Sequence, residues 1–264
     1  MGLADLHIHT IYSYDGTSSV SAVIKYAAHH AKLDVIAITD HNKIEGALQA
    51  QDLAPSYNIE VIPGIEVSSE EGHILALFVS RPIPPGLSIE ATVLKTLEQG
   101  GICIIPHPMT YSRMAVHPYA IQRALRNPEV SRGLVGVEFF NAGMAGAQRD
   151  ERAIYLCSQL PISQVGCSDA HVNWMIGLGA TRFPGRSAAE LRRALENHQT
   201  QAVGTDQMEM GDFIIRYVPR LALRHAGWVP WNENPSEPLR MTWRGNRKFR
   251  QELRYAQSHP GLSA

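Results

Sequence analysis

The side chains in this sequence with the greatest capacity for chemistry are nine histidine, aspartate and glutamate residues that fall into short clusters. Their imidazole nitrogens and carboxylate oxygens are donors that bind divalent transition metals. In chain order they are His7, His9, Asp15, His41, Glu66, His73, His107, Asp169 and His171. The ordered set predicts a centre that binds several divalent ions and catalyses hydrolysis.

Most of these residues stand at the end of a short apolar run of the kind that forms a buried strand. The strand candidates are 3–8, 34–39, 59–67, 73–79, 102–106, 134–140 and 163–168. Helical patterns lie between most of them, over 18–32, 43–53, 88–99, 118–126, 147–160 and 187–198. This alternation predicts parallel strands with right-handed crossovers, and seven strands favour a closed or nearly closed barrel.

A barrel would bring the clusters together, because reacting groups in parallel barrels gather beyond the C-terminal ends of the strands. Residues two apart in an extended segment point the same way, so His7 and His9 can close on one ion. Asp169 and His171 can close on one ion or on a neighbouring pair. Glu66 has two carboxylate oxygens and could bridge two ions.

The bulk composition is that of a soluble globular enzyme, with 44% apolar and 19% charged residues. The three cysteines form no CxxC pair, which favours buried thiols in a reducing compartment over a zinc ribbon. No apolar run has membrane-spanning length and the chain shows no secretory leader. We therefore expect a cytoplasmic protein with no membrane partner.

The C-terminal part differs from the rest of the chain in charge. Residues 214–264 hold nine Lys and Arg against three Asp and Glu, whereas the residues before them hold 15 against 22. We place a catalytic domain at 1–205 and a basic, partly helical extension at 206–264, with helices expected over 211–226 and 245–257. The acidic body fits a site that collects cations, and the basic tail could bind nucleic acid or pack against the barrel.

The motifs Asp-Leu-His-Ile-His-Thr, Tyr-Asp-Gly, Thr-Asp-His, Pro-Gly-Ile-Glu, Pro-His-Pro and Ser-Asp-Ala-His, in this order, resemble the PHP (polymerase and histidinol phosphatase) superfamily. The resemblance covers about residues 3–205. It implies an α/β fold, a distorted (β/α)7 barrel of the PHP type, here followed by a C-terminal extension. It also implies a centre of two or three metal ions that hydrolyses phosphoesters.

The resemblance further implies how the donors divide among the ions. The first ion would be held by His7, His9, Glu66 and Asp169, the second by Glu66, His73 and His107, and the third by Asp15, His41 and His171. An oxygen donor such as Asp15 at the third position favours Mn²⁺ or Fe²⁺ over Zn²⁺.

The expected chemistry assigns roles to several further side chains. Clustered ions would generate a metal-bound hydroxide near neutral pH and clamp the attacking and leaving oxygens. The residues expected to act in catalysis are Asp169, His171 and His41. Arg113, six residues after His107, is the best candidate for bidentate contacts with phosphate. Glu138 and Asn141 are candidates for substrate binding or for a structural hydrogen-bond network, and Asp40 could orient a ligand histidine.

We therefore expect a hydrolase that depends on two or three divalent ions (Mn²⁺, Fe²⁺ or Zn²⁺) and releases phosphate from a small phosphomonoester or nucleotide. The partner would be a small phosphorylated metabolite or nucleotide. Two alternatives stay open. One is a catalytically idle relative that senses a nucleotide, and the other is a nuclease that acts on oligonucleotides.

Overall fold

The structure is a computed structural model that describes residues 1–108, 110, 112–143, 151–204, 209–232 and 240–243. Its strands are β1 (Gly2–Ile8), β2 (Val35–Ile38), β3 (Glu60–Ser68), β4 (His73–Leu77), β5 (Ile102–Ile105), β6 (Leu134–Asn141), β7 (Ser163–Cys167), β8 (Gly179–Phe183), β9 (Gln201–Gly204), β10 (Trp228–Asn232) and β11 (Arg240–Trp243). The first nine form one sheet in the order β7-β6-β5-β4-β3-β2-β1-β8-β9, and β10 pairs with β11 in a separate hairpin.

The sheet curves into a nearly closed barrel. Ile8, at the end of β1, forms a parallel bridge with Ala170, just beyond the end of β7. The Thr181 hydroxyl of β8 bonds both the amide and the carbonyl of Gly166 in β7. These contacts confirm the α/β fold and the barrel-shaped sheet.

Helices lie between the strands. They are α1 (Val20–Tyr26), α2 (Glu45–Leu53), α3 (Ile89–Leu97), α4 (Pro118–Ala124), α5 (Pro128–Gly133), α6 (Glu151–Ser158), α7 (Ala188–Glu196), α8 (Met210–Asp212) and α9 (Val218–His225). A π-helical turn, Ala27–Ala31, extends α1, and another, Phe213–Tyr217, joins α8 to α9. The helix expected over 211–226 is therefore present in three parts, and the stretch 245–257 lies outside the described residues.

The expectation of an all-parallel barrel is wrong in two places. Strand β4 is antiparallel to both β3 and β5, and at the other end of the sheet β8 is antiparallel to β1 and to β9. Only residues 69–72 join β3 to β4, whereas a parallel crossover needs about a dozen residues or more. Strands β8 and β9 are not among the strand candidates, because polar residues such as Thr181, Arg182 and Gln201 interrupt their apolar character.

The reversal of β4 has a direct consequence for the site. His73 opens β4 and pairs with Ser68 at the end of β3. A residue at the start of an antiparallel strand lies at the same edge of the sheet as the end of its neighbour. His73 therefore reaches the barrel mouth where Glu66 lies.

Below the mouth the barrel interior is filled with apolar side chains, including Leu6, Leu75, Ile104 and Val165, all buried. The expectation of buried thiols is confirmed for all three cysteines. Burial raises the pKa of Cys103 and Cys157 to about 12. The barrel interior is a packed apolar core, and the buried thiols of Cys103 and Cys157 stay protonated near neutral pH.

Among the described residues, none of the helices combines the length and the apolar character needed to cross a membrane. The barrel sheet ends at Gly204. The domain boundary placed at 205 stays a prediction.

Candidate metal centre

One oxygen of Glu66 lies among the donors that were assigned to the first ion. Its Oε2 lies 3.3 Å from His7 Nε2 and 3.2 Å from His9 Nε2. Asp169 Oδ1 lies 3.4 Å from each of the same two nitrogens. The four residues assigned to the first ion therefore surround one point.

The other oxygen of Glu66 faces a second pair of imidazoles. Oε1 lies 2.7 Å from His73 Nδ1 and 3.2 Å from His107 Nε2. The two oxygens of one carboxylate thus serve two neighbouring sets of donors. This geometry is the one expected of a group that bridges two ions.

The third set lies beside the first, on the more open side of the mouth. Asp15 Oδ2 lies 3.2 Å from His41 Nε2 and 3.2 Å from His171 Nε2. The side chains of Asp15 and His171 are 15% and 19% exposed, whereas that of His9 is fully buried. The third set is therefore the most exposed of the three sets.

Local backbone geometry places several of these donors. The extended backbone at the end of β1 turns His7 and the next-but-one residue, His9, to the mouth and buries Ile8 between them. His107 and Asp169 have positive φ angles of 36° and 51°. Such angles are uncommon for residues other than glycine, and strained positions of this kind cluster at functional sites.

Burial and neighbouring charges have opposite effects on the pKa values at the mouth. Burial alone would lower the pKa of His7, but Asp169, Glu66 and Glu138 outweigh it and raise that pKa well above its usual value. Burial likewise opposes the protonation of His9, yet Asp169 and Glu66 raise its pKa to about 10. Burial would raise the pKa of Glu66, but the surrounding imidazoles hold it well below its usual range. Without bound ions, protonated imidazoles and ionised carboxylates therefore stabilise each other in this buried site.

The donor atoms fit divalent metal ions. Ligands about 2.0–2.2 Å from one ion lie about 3.0–3.5 Å from each other, and the distances around Glu66 fall mostly in that range. Although imidazole nitrogens lie near Glu66 Oε2, neither this buried atom nor buried His41 Nδ1 and Asp15 Oδ1 makes a hydrogen bond of suitable angle among the described residues. Three groups of donor atoms, each within 4.8 Å, could hold an ion: His9, Asp15, His41 and His171; His7, His9 and Glu66; and His41, Glu66 and His73.

These three groups overlap the ion assignments implied by the motifs without coinciding with them. His9 also lies with the third set, and His41 also lies beside Glu66 and His73. The structure brings all nine residues together at the mouth. Their division among individual ions stays a prediction.

Glu138 supports the centre from below. His7 Nδ1 lies 2.8 Å from Glu138 Oε1, while the His107 amide and Asn141 Nδ2 each donate to Oε2 at 2.8 Å. Asn141 Nδ2 also lies 3.3 Å from Asp169 Oδ2. The substrate-binding roles expected for Glu138 and Asn141 stay predictions, and the contacts of Glu138 are those of a group that orients His7.

Glu138→Gln will lower the affinity for Mn²⁺ by about 10–100-fold, the usual cost of losing a carboxylate behind a ligand histidine. An amide cannot accept all of the bonds that both carboxylate oxygens accept, so the ring of His7 will lose its orientation. Titration of the chelator-treated protein with Mn²⁺ measures the change, with the exposed Glu129→Gln as the control. Equal affinities in the two variants would contradict this role.

Asp40 is buried and holds a loop rather than a histidine ring. Its Oδ1 accepts from the Thr10 amide at 2.6 Å and the Ser13 amide at 3.2 Å, and its Oδ2 accepts from the Thr10 hydroxyl at 2.7 Å. The structure shows no direct bond from Asp40 to a ligand imidazole among the described residues. Ser13 supplies that contact, since its hydroxyl lies 2.9 Å from His9 Nδ1 and accepts from the His41 amide.

Arg113 lies in an exposed turn after β5. The next residue, Met114, accepts a hydrogen bond of 2.8 Å through its carbonyl from the His73 amide. The turn therefore passes beside the mouth, but residues 109 and 111 lie outside the described residues. Phosphate binding by Arg113 stays a prediction.

Two tyrosines near the third set were missed in the sequence. Tyr14 stacks on His41 with 4.8 Å between ring centroids, and Tyr217 makes an edge contact with His171 at 6.0 Å. Burial and the neighbouring Asp15 and Glu66 carboxylates raise the pKa of Tyr14 to about 12. The only signal for Tyr14 was its place beside Asp15, and no local pattern indicated Tyr217.

A barrel whose mouth gathers imidazoles and carboxylates in this way is typical of proteins that bind divalent metal ions. Residues 5–199 match the PHP domain family, and the chain belongs to that family. The resemblance carried by the motifs and the PHP type of the barrel are thereby confirmed. Family membership and the donor clusters together support divalent-metal binding and hydrolase activity.

Similar proteins include both uncharacterized and named members. An uncharacterized protein of Methanocaldococcus jannaschii is 40% identical over 149 residues, covering 53% of this chain and 81% of that protein. A phosphoribosyl 1,2-cyclic phosphate 1,2-diphosphodiesterase of Eggerthella lenta is 33% identical over 103 residues, covering 37% of each chain. A two-domain protein of Bacteroides vulgatus that contains a predicted PHP-like metal-dependent phosphoesterase has a TM-score of 0.61 at 20% identity. That likeness covers 77% of this chain and 64% of the other, and it shows the fold.

Proposed function

We propose that this protein is a metal-dependent phosphoesterase that releases phosphate from a small phosphomonoester or nucleotide. The observation that carries the proposal is the placement of Glu66. Its two oxygens face two sets of imidazoles, and a third set built on Asp15 lies alongside. Mn²⁺ and Fe²⁺ are the cofactors that the oxygen donors favour, and Zn²⁺ is the alternative.

The donors would be shared among three ions: His7, His9, Glu66 and Asp169; Glu66, His73 and His107; and Asp15, His41 and His171. When bound, clustered divalent ions neutralise phosphoryl oxygens and lower the pKa of a water molecule, so that a nucleophile is available near neutral pH. The chain's own groups orient these donors and exclude water from below, since His7 and Glu138 are fully buried.

The more open side of the mouth is where substrate would meet the protein. Asp169, His171 and His41 border it, and we assign them the catalytic roles. Arg113, on its exposed turn, would contribute a guanidinium for bidentate contact with phosphate oxygens. Asn141 lies beside Asp169 and would contact the substrate next to it.

Hydrolysis of a small phosphodiester is a second candidate. It is favoured by the similarity to the Eggerthella lenta diphosphodiesterase, although that similarity spans 37% of either chain. Binding of nucleic acid through the basic tail stays a prediction, because most of the tail lies outside the described residues. A nucleotide sensor without turnover is the remaining alternative.

The test is a phosphate-release assay of the purified protein with Mn²⁺. The panel should contain sugar monophosphates, nucleotides, a cyclic phosphodiester and an oligonucleotide, each with an EDTA control. We expect His107→Ala to lower the rate by more than about 100-fold, since even a group behind a ligand is worth about 10–100-fold. The exposed His30→Ala serves as the control.

The outcomes separate the alternatives. Absence of turnover above the EDTA control on every substrate contradicts the proposed activity, and tight nucleotide binding in that case favours the sensor. Retained activity in His107→Ala contradicts the assigned centre. Cleavage of the cyclic diester or the oligonucleotide alone favours a diesterase or a nuclease.

A further inference from the structure

The C-terminal helical segment 209–225 lies outside the family match, yet it contacts the metal centre. It touches two loops, and each of them carries one donor of the third set, Asp15 or His171. These are the loop 11–15 after β1 and the loop 169–175 after β7.

Arg224 in α9 holds the loop 11–15. Its guanidinium donates from Nη2 to the carbonyls of Ile11, at 2.7 Å, and Ser13, and from Nε to the carbonyl of Tyr14 at 3.2 Å. The residue is only 7% exposed. A carbonyl that loses its hydrogen-bond donor away from water destabilises the folded state. These three bonds to Arg224 therefore fix the path of the loop.

Tyr217 continues the same contact to the ligand itself. Its hydroxyl donates to the backbone carbonyl of Asp15 at 3.0 Å, and its ring meets His171 edge-on. Tyr217 is 7% exposed. One residue of the tail thus contacts two of the three donors of the third set.

A third contact reaches the loop after β7. The guanidinium of Arg216 lies over the ring of Trp174 at 4.3 Å. The two loops are also held close together, because the amide and hydroxyl of Thr17, two residues after the loop 11–15, both donate to the His171 carbonyl. The tail therefore covers a unit formed by both loops.

The position of the loop 11–15 affects several donors at once. Ser13 in this loop must place its hydroxyl beside His9 and His41. A side chain at Gly16 would collide with the Thr10 carbonyl, so the chain turns back tightly at that point. A small shift of the loop would move Asp15 and change the spacing of the donors.

We propose that segment 209–225 is a structural part of the third ion position, and that Arg224 and Tyr217 are positioning residues for the loop that carries Asp15. The inference rests on the proposed function, because it requires that the third set hold an ion. It assigns a role at the site to residues beyond the part of the chain that matches the family.

The test is Mn²⁺ binding to full-length, chelator-treated protein, measured by calorimetry and by elemental analysis after dialysis. Arg224→Met keeps an unbranched apolar stem and removes the guanidinium with its donors, and Tyr217→Phe removes one hydroxyl. The exposed His225→Ala, in the same helical turn, is the matched control. Thermal melting curves, recorded by circular dichroism, test whether each variant is folded.

We expect the wild-type protein to bind three ions. Arg224→Met should weaken the weakest of them by about 10–100-fold, while the two tighter ions keep their affinity. Tyr217→Phe should weaken the same ion by a smaller factor, and His225→Ala should leave it unchanged. Arg224→Lys, which keeps the charge and part of the donor capacity, should give an intermediate loss.

The results that overturn the inference are distinct from those that overturn the activity. Wild-type affinity for all three ions in both Arg224→Met and Tyr217→Phe contradicts it, and Tyr217→Phe decides alone if Arg224→Met does not fold. A wild-type protein that binds only two ions also contradicts it and leaves the phosphoesterase proposal intact. A protein that binds three ions and hydrolyses no phosphoester contradicts the proposed function alone.

Discussion

Glu66→Gln will leave the barrel folded but will remove ions from the centre and lower kcat/KM by more than about 100-fold. Glu66 lies within 3.3 Å of nitrogens from five histidines, which no other carboxylate among the described residues matches. The amide removes the negative charge and leaves one oxygen for two sets of donors. Loss of a group that only orients a metal ligand already lowers metal affinity or activity by about 10–100-fold. Loss of a ligand that bridges two ions should lower both by more.

The measurement combines elemental analysis of the purified variant with the rate of phosphate release. Glu70→Gln is the control, because Glu70 is exposed and close in sequence. Circular dichroism shows that the fold is intact. A Glu66→Gln protein with the full complement of ions and the wild-type rate would contradict both the bridge and the proposed centre.

Removal of the ions will abolish phosphate release and lower the melting temperature by about 5 °C or more. An ion present at about 100 times its Kd stabilises the folded state by about 2.7 kcal/mol. For a chain of this size, each kcal/mol shifts the melting temperature by about 2–4 °C. Without ions, the negative charges of buried Glu66 and Asp169 are balanced by imidazoles. These two carboxylates raise the pKa of His9 to about 10, against the effect of burial.

Melting curves of the chelated protein, before and after addition of Mn²⁺, Fe²⁺ or Zn²⁺, test this expectation. The ion that restores both activity and melting temperature at the lowest concentration identifies the favoured metal. The Glu66→Gln variant is the control, since added metal should stabilise it much less. A melting temperature and a rate that do not change on chelation would contradict metal dependence.

The identity of the donors was readable from the sequence. Histidine and carboxylate residues at the ends of apolar runs are chemically distinctive, and the ordered motifs carried the family resemblance that the match over residues 5–199 confirms. All nine predicted donors lie at the mouth. The seven strand candidates also correspond to β1–β7, because a run of apolar residues needs no partner to be recognised.

Only the tertiary structure decided strand direction and the contacts that hold the donors. The reversed β4 brings His73 to Glu66, and Glu138 turns out to lie beneath His7 with both oxygens engaged. Arg224 meets its carbonyl partners across more than 200 residues of sequence. Hydrogen bonds between distant residues depend on orientation in space, so composition and periodicity along the chain do not specify them.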